Sequence, residues 1–147
     1  MGQGARGGSP GGRGTPALTA FVDTNVLIRH LTGDPPAQAR RATAALGRAQ
    51  RLLVTDVVFA ESIFVLESYY EAPREDVASA MRALLALPTI SVVSPDVLLR
   101  ALEVYESQRL HFAEAHLVAE AEASGVGAVL SFDKALRRAT SVEWQQP

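Results

Sequence analysis

Four acidic residues of the chain stand in apolar surroundings, where a lone charge is costly. Asp23 follows a short apolar run, Glu61 lies within VVFAESIF, Glu114 within HFAEAHLV, and Asp133 closes AVLSFD. Burying an ionised carboxylate is strongly unfavourable unless it is paired, neutralised or bound to a cation. Two such charges about 4 Å apart, at an effective dielectric constant near 20, repel by about 4 kcal/mol, so a cluster of all four needs a cation. Ligands that are all oxygen favour Mg²⁺ or Mn²⁺ over zinc.

The elements around these acids alternate between short apolar runs and helical patterns. Strands are predicted over residues 19–22, 51–56, 89–94 and 126–132, with an edge strand over 141–144, and helices fill the intervals. Apolar runs without clean alternation are typical of a parallel sheet covered on both faces, so we predict an α/β fold. Ligands of such sheets collect beyond the carboxyl ends of the strands, which is where Asp23 and Asp133 fall.

Each acid also has a plain structural interpretation. Asp23 and Asp133 lie at strand-to-helix junctions and could cap the helices that follow. Glu114 could be a first-turn residue that the helix dipole favours, and Glu61 could sit at the edge of an apolar face and reach solvent. Singly these interpretations are the better ones, but together, in this order and context, the four acids favour a metal site.

Composition limits the class of protein. The chain has 147 residues, of which 48% are hydrophobic, enough for one domain with a core. It contains no cysteine, which fits a reducing compartment, and no stretch has the length of a membrane span. The first 16 residues hold 7 of the 11 glycines. We therefore predict a flexible Gly/Arg-rich leader over residues 1–18 and a single domain over residues 19–147.

The charge argues against a broad basic face. The formal net charge is −2, and without Arg6 and Arg13 the balance is 12 basic to 16 acidic groups, or −4. A nucleic-acid substrate would therefore need a local arginine patch or a bound cation. The arginine pairs at residues 40–41 and 137–138 could meet phosphates, or they could form solvated helix faces.

Three stretches together resemble a known family. FVDTNVLI, ESIFVL and FAEAHLVAEAEASGVGAVLSFDKAL are similar to PIN domains of the VapC type, the toxins of bacterial toxin–antitoxin pairs, over about Ala20 to Arg138. The resemblance implies a three-layer α/β/α fold with a small, mostly parallel sheet of four or five strands. It also implies a cytoplasmic, metal-dependent endoribonuclease that uses Mg²⁺ or Mn²⁺, cleaves RNA and is held inactive by a VapB-like antitoxin. A homodimer is a further expectation.

The resemblance also assigns residues. It makes four acids both the catalytic residues and the metal ligands: Asp23, Glu61, Glu114 and Asp133. It places three residues behind them as supporting groups: Thr24, Asn25 and Ser131. The family normally has Asp where this chain has Glu114, and the extra methylene moves the carboxylate by about 1 Å, a displacement that can cost about a hundredfold in rate.

Other interpretations stay open. A PIN-like module that binds RNA or a partner without catalysis would explain Glu114 as the first loss of the site. A phosphatase of the aspartyl-phosphate type also ends its first strand on Asp, but its D-x-D-x-T pattern is absent from DTNVL. His30 and His116 are interpreted as packed or partly exposed, and His111 could touch RNA only if its loop faces the cleft. Aromatic residues of the third helix offer weak support for a partner or dimer surface.

Overall fold

The computed structural model describes residues 18–147, and nearly all of the predicted leader lies outside the described residues. Within this range five short strands alternate with six α-helices and one 3₁₀ helix. In chain order they are β1 (Thr19–Phe21), α1 (Thr24–Thr32), α2 (Pro36–Arg48), β2 (Arg51–Leu53), α3 (Asp56–Ser68), α4 (Arg74–Leu85), β3 (Ile90–Ser91), α5 (Pro95–Gln108), α6 (Phe112–Ser124), β4 (Ala128–Leu130), the 3₁₀ helix (Lys134–Arg138) and β5 (Glu143–Gln145). The predicted α/β class is confirmed, and the predicted edge strand is present as β5.

All strand pairs are parallel, but hydrogen bonding divides the strands into two sheets. One sheet has the order β1-β2-β3, and the other joins β4 to β5. Phe21 pairs with Leu53 in the first sheet, and Val129 pairs with Trp144 in the second. One sheet of four or five strands was predicted. The backbone hydrogen bonds instead form a three-stranded sheet and a two-stranded sheet. Each strand has two or three residues, so each ladder has room for only a few bonds.

Local sequence signals set the helix ends. The Thr55 side chain accepts a hydrogen bond of 3.1 Å from the Val58 amide and so caps α3. Pro36 occupies the first turn of α2, where its missing N–H costs nothing. Gly125 ends α6 in the left-handed region at φ 81°, which glycine adopts without a steric penalty.

One core joins the helices to the sheet. Its largest buried side chains include Phe59 of α3 and Tyr105 of α5, and both contact the ring of Phe112 at the start of α6, with ring centroids 5.6 Å and 6.1 Å apart. Helix α5 packs along α6, and α1 packs against α2 and α3. These contacts fix the two helices that carry Glu61 and Glu114.

Arg74 anchors the loop between α5 and α6. Its Nη1 donates to the carbonyl oxygens of Tyr105 at 2.7 Å and Leu110 at 2.6 Å, and its guanidinium stacks over the Tyr105 ring at 4.3 Å. These carbonyls lie near or beyond the C-terminal end of α5, where a cation is favourable. The start of α6, and with it Glu114, is thereby held in place.

Among the described residues, none of the helices combines the length and the apolar content that a membrane crossing requires.

Candidate functional site

Asp23 lies at the carboxyl end of β1 and immediately before α1. It occupies the N-cap position in extended conformation, but its side chain makes no capping hydrogen bond. The residue is exposed. The capping interpretation therefore does not account for its carboxylate, which has no side-chain hydrogen bond within residues 18–147 and lies at the edge where β1 ends.

Glu61 reaches solvent, as its simpler interpretation predicted, although it lies within an apolar run. The residue is exposed, and so are its neighbours on the same helix face, Val57 (75%) and Phe64 (65%). The apolar run around Glu61 does not bury its charge because α3 is apolar on nearly its whole circumference, including the side that faces solvent. The carboxylate nevertheless has one buried partner, since the Thr24 hydroxyl donates a hydrogen bond to its Oε1. This bond ties α3 to the start of α1.

Glu114 and Asp133 face each other. Burial raises the pKa of Glu114, and the adjacent Asp133 raises it further, while His111 acts in the opposite direction. The Ala135 amide, which donates to Asp133 Oδ1 at 2.9 Å, is the main cause of a lowered pKa at Asp133, and Glu114 adds to it. The Oε2 of Glu114 is buried and has no hydrogen-bond partner. Two facing carboxyl groups, one with an orphaned oxygen, fit a cation between them.

The three supporting residues take distinct places. Thr24 is buried and holds Glu61 as described. The Ser131 hydroxyl accepts a 2.9 Å hydrogen bond from the Asp133 amide and so fixes the turn that presents this acid. Asn25 is exposed and lines a groove between α1 and α2.

The four acids do not form one tight shell, because Glu114 faces Asp133 whereas Glu61 contacts Thr24. In the part of the chain that the structure describes, no three of them bring carboxylate oxygens within 4.8 Å of one another. Like charges repel, which opposes a tight cluster of the four carboxylates. Glu61 accepts a hydrogen bond from the Thr24 hydroxyl, and Asp133 accepts one from the Ala135 amide. Asp133 thus does cap the helix that follows it, as its simpler interpretation predicted, and still faces Glu114.

A cavity of about 430 Å³ adjoins Glu61 between α3 and the start of α6. His111, the exposed residue before α6, lines this cavity together with Phe64 and Glu67. His111 and Glu61 thus line the same cavity, and a contact of His111 with RNA stays a prediction.

A second cluster was missed by sequence reasoning. His116 Nε2 lies 3.1 Å from Asp56 Oδ2 and 3.7 Å from Glu120 Oε1. Ligand atoms of these three residues lie within 4.8 Å of one another, and Asp56 Oδ1 is buried without a partner. His116 is half-buried, as predicted, but it also contacts two acids. The i, i+4 spacing of His116 and Glu120 was visible in the sequence, whereas Asp56 comes from another helix.

The model of the PIN domain family matches residues 20–141, which is most of the chain. The chain therefore belongs to the PIN-domain family. PIN domains are typically metal-dependent nucleases, and the facing carboxylates of Glu114 and Asp133 suit a divalent cation. A comparison with curated protein sequences found no match.

Proposed function

We propose that this PIN domain is a Mg²⁺- or Mn²⁺-dependent endoribonuclease, the toxin of a VapBC-type pair, which acts in the cytoplasm. The observation that carries the proposal is the Glu114–Asp133 pair, with its buried and unpartnered carboxylate oxygen. A structural ion pair would bring an acid to a base, whereas here two acids meet. In a family of metal-dependent nucleases, this arrangement is best explained by a cation that both residues bind.

The residues that would hold the cation are Asp23, Glu61, Glu114 and Asp133. When bound, a divalent cation supplies Lewis-acid stabilisation of the charge that develops on the phosphate during hydrolysis. The backbone of Asp23 is placed by β1 on one side and by the start of α1 on the other. Thr24 fixes the orientation of Glu61, and Ser131 with the Ala135 amide fixes that of Asp133. These contacts orient two of the four proposed oxygen ligands before a cation binds.

RNA as the substrate, a VapB-like antitoxin as the partner and a homodimer are expectations from the resemblance to VapC toxins. Exposed apolar residues of α3, Val57 and Phe64, offer a surface for a protein partner. The acidic character retained at all four site positions supports catalysis over a module that only binds.

The test is cleavage of a mixed single-stranded RNA by the purified protein with Mg²⁺, with Mn²⁺ and with EDTA. We expect cutting with either metal, none with EDTA, and a loss of at least about a hundredfold in Asp23→Asn, because a metal ligand is removed. Asp76→Asn is the matched control. Asp76 is exposed in the first turn of α4 and is not one of the four proposed metal ligands. Cutting that survives EDTA and the Asp23 change would contradict the proposal.

The second candidate is a catalytically impaired PIN-like module that binds RNA or a partner. Glu114 favours it, because the longer side chain displaces the carboxylate from the family position. If the folded protein does not cut RNA, Glu114→Asp separates the two functions. Restored cutting identifies an impaired nuclease, and continued inactivity identifies the binding module.

A further inference from the structure

A groove between α1 and α2 concentrates arginine in an otherwise acidic protein. Its volume is about 740 Å³, and four arginines line it: Arg29, Arg40, Arg41 and Arg48. The two helices contain no aspartate or glutamate. Outside the leader the chain carries 12 basic and 16 acidic groups, so this positive charge is local and is not a property of the whole surface.

Within the described residues, the groove arginines form no ion pair. Among residues 18–147, Arg82 and Arg100 form ion pairs with carboxylates, whereas none of the four groove arginines does. Three of the four are exposed, and the half-buried Arg29 is oriented by a 2.8 Å hydrogen bond from its Nε to Gln38 Oε1 across the groove. A guanidinium presents five donors in a planar fork that matches phosphate oxygens, so unpaired arginines in a groove suit a phosphate ligand.

The groove extends along the two helices. Arg41 and Arg48 are seven residues apart on one helix face, which separates their backbones by about 10 Å along the axis. Charge spread over such a length suits a polyanion better than a single phosphate group. At the other helix, Asn25 lines the groove only two positions after Asp23. A strand held in this groove would therefore lead toward the acid at the end of β1.

We infer that the α1–α2 groove binds the sugar–phosphate backbone of the RNA strand next to the cleaved bond. The inference rests on the proposed ribonuclease function and names the surface that this acidic protein uses to hold an acidic substrate. The groove supplies the local arginine patch, and the arginines act by positioning the strand, not by taking part in the reaction.

The test uses a fluorescein-labelled single-stranded RNA and the full chain carrying Asp23→Asn, which prevents cleavage during the measurement. Fluorescence anisotropy gives Kd over a range of salt concentrations. Adding Arg41→Gln and Arg48→Gln should weaken binding about tenfold. It should also make the plot of log K against log salt shallower by about 1.4, since each lost phosphate contact on a single strand contributes about 0.7. Arg51→Gln is the matched control, because Arg51 is an exposed arginine at the amino end of β2, opposite the acid edge.

The outcomes separate the inference from the function on which it rests. Circular dichroism first establishes that the groove variant is folded. If that variant keeps the Kd and salt dependence of its parent while the protein with native Asp23 cleaves RNA, the groove does not hold RNA and the nuclease proposal stands. If the native protein neither binds nor cleaves RNA, the proposed function fails and the inference fails with it. If the groove changes abolish binding of a polyglutamate peptide and leave RNA binding intact, the groove serves an acidic protein segment instead.

Discussion

At the level of single residues, two acids of this PIN domain face each other, an arrangement that costs stability unless a cation binds between them. Glu114 keeps a buried oxygen without a partner and faces Asp133, and burial together with this neighbour raises its pKa. Asp23 stands at a cap position without capping. A chain selected only for stability would have placed an amide or an apolar residue at position 114.

This arrangement predicts that Glu114→Gln stabilises the metal-free protein. The amide removes one of the two facing acids and can donate a hydrogen bond to Asp133, so we expect about 1 kcal/mol of added stability and a Tm higher by about 2–4 °C in EDTA. Thermal unfolding followed by circular dichroism measures the change. Because a ligand that binds only the folded state raises Tm, the variant should also gain less than the native protein when Mg²⁺ is added.

Glu71→Gln provides the comparison, since Glu71 is an exposed loop residue outside the site. An unchanged or lower Tm for Glu114→Gln in EDTA would show that the facing acids are not in repulsive contact.

At the level of elements, the order of strands and helices could be read from the sequence because each has a local cause. Apolar runs, Pro35 and Pro36, Thr55 and Gly125 mark boundaries that the structure reproduces within a few residues. The division into two sheets could not be read, because it depends on which strand edges come within bonding distance once the helices pack. The same holds for Asp56 and His116, which lie 60 positions apart on helices whose mutual placement no local pattern reveals.

Some features of the candidate site could likewise be predicted from the sequence, and others could not. The acids could be located in the sequence because a carboxylate in an apolar run is unusual, and the Ser131 contact follows from its position two residues before Asp133. The sequence left the exposure of Glu61 open, because a buried and a solvent-reaching position are both compatible with a largely apolar helix. The arginine groove could not be predicted, because it depends on how α1 packs against α2.

Helix α3 depends on its cap, and Thr55→Ala is expected to cost about 1 kcal/mol of folding stability. The change leaves the Val58 amide without the side-chain oxygen that accepts its hydrogen bond. Urea unfolding at equilibrium measures the loss, and Thr55→Ser, which retains the hydroxyl, should recover most of it. Equal destabilisation by both substitutions would assign the effect to the lost methyl group and not to the cap.

At the level of the whole molecule, a charged contact joins three distant parts of the chain. Arg100 of α5 donates from Nε to Glu122 Oε1 at 2.8 Å and from Nη2 to Oε2 at 3.0 Å, and the Ser141 hydroxyl, just before β5, donates to the same carboxylate. Helix α6, which carries Glu114 at its start, is thus connected near its end to α5 and to the segment that leads into the second sheet. The orientation of α6 relative to α5 and to that segment determines where Glu114 lies.

This contact should make stability depend on pH in the acid range. Arg100 lowers the pKa of Glu122, with Ser141 adding to the effect and burial opposing it, so the folded protein binds the proton less readily than the unfolded chain. The stabilisation is complete above the unfolded pKa of 4.5 and is lost as the pH falls through the lower pKa of the folded state.

Glu122→Gln therefore is expected to reduce the free energy of unfolding at neutral pH by about 1 kcal/mol, a modest value because the Arg100 side chain is 43% exposed. At an acidic pH below the lowered pKa of Glu122, the variant and the native protein should converge, since native Glu122 has then lost most of its charge. Urea unfolding at neutral and at acidic pH measures the difference in free energy of unfolding under each condition. Glu103→Gln is the control, because Glu103 meets Arg100 only at 3.4 Å and is 56% exposed, and it should change little at either pH. A loss from Glu122→Gln that is equally large at both pH values would mean that the shape of the side chain, and not its charge, holds α6 to α5.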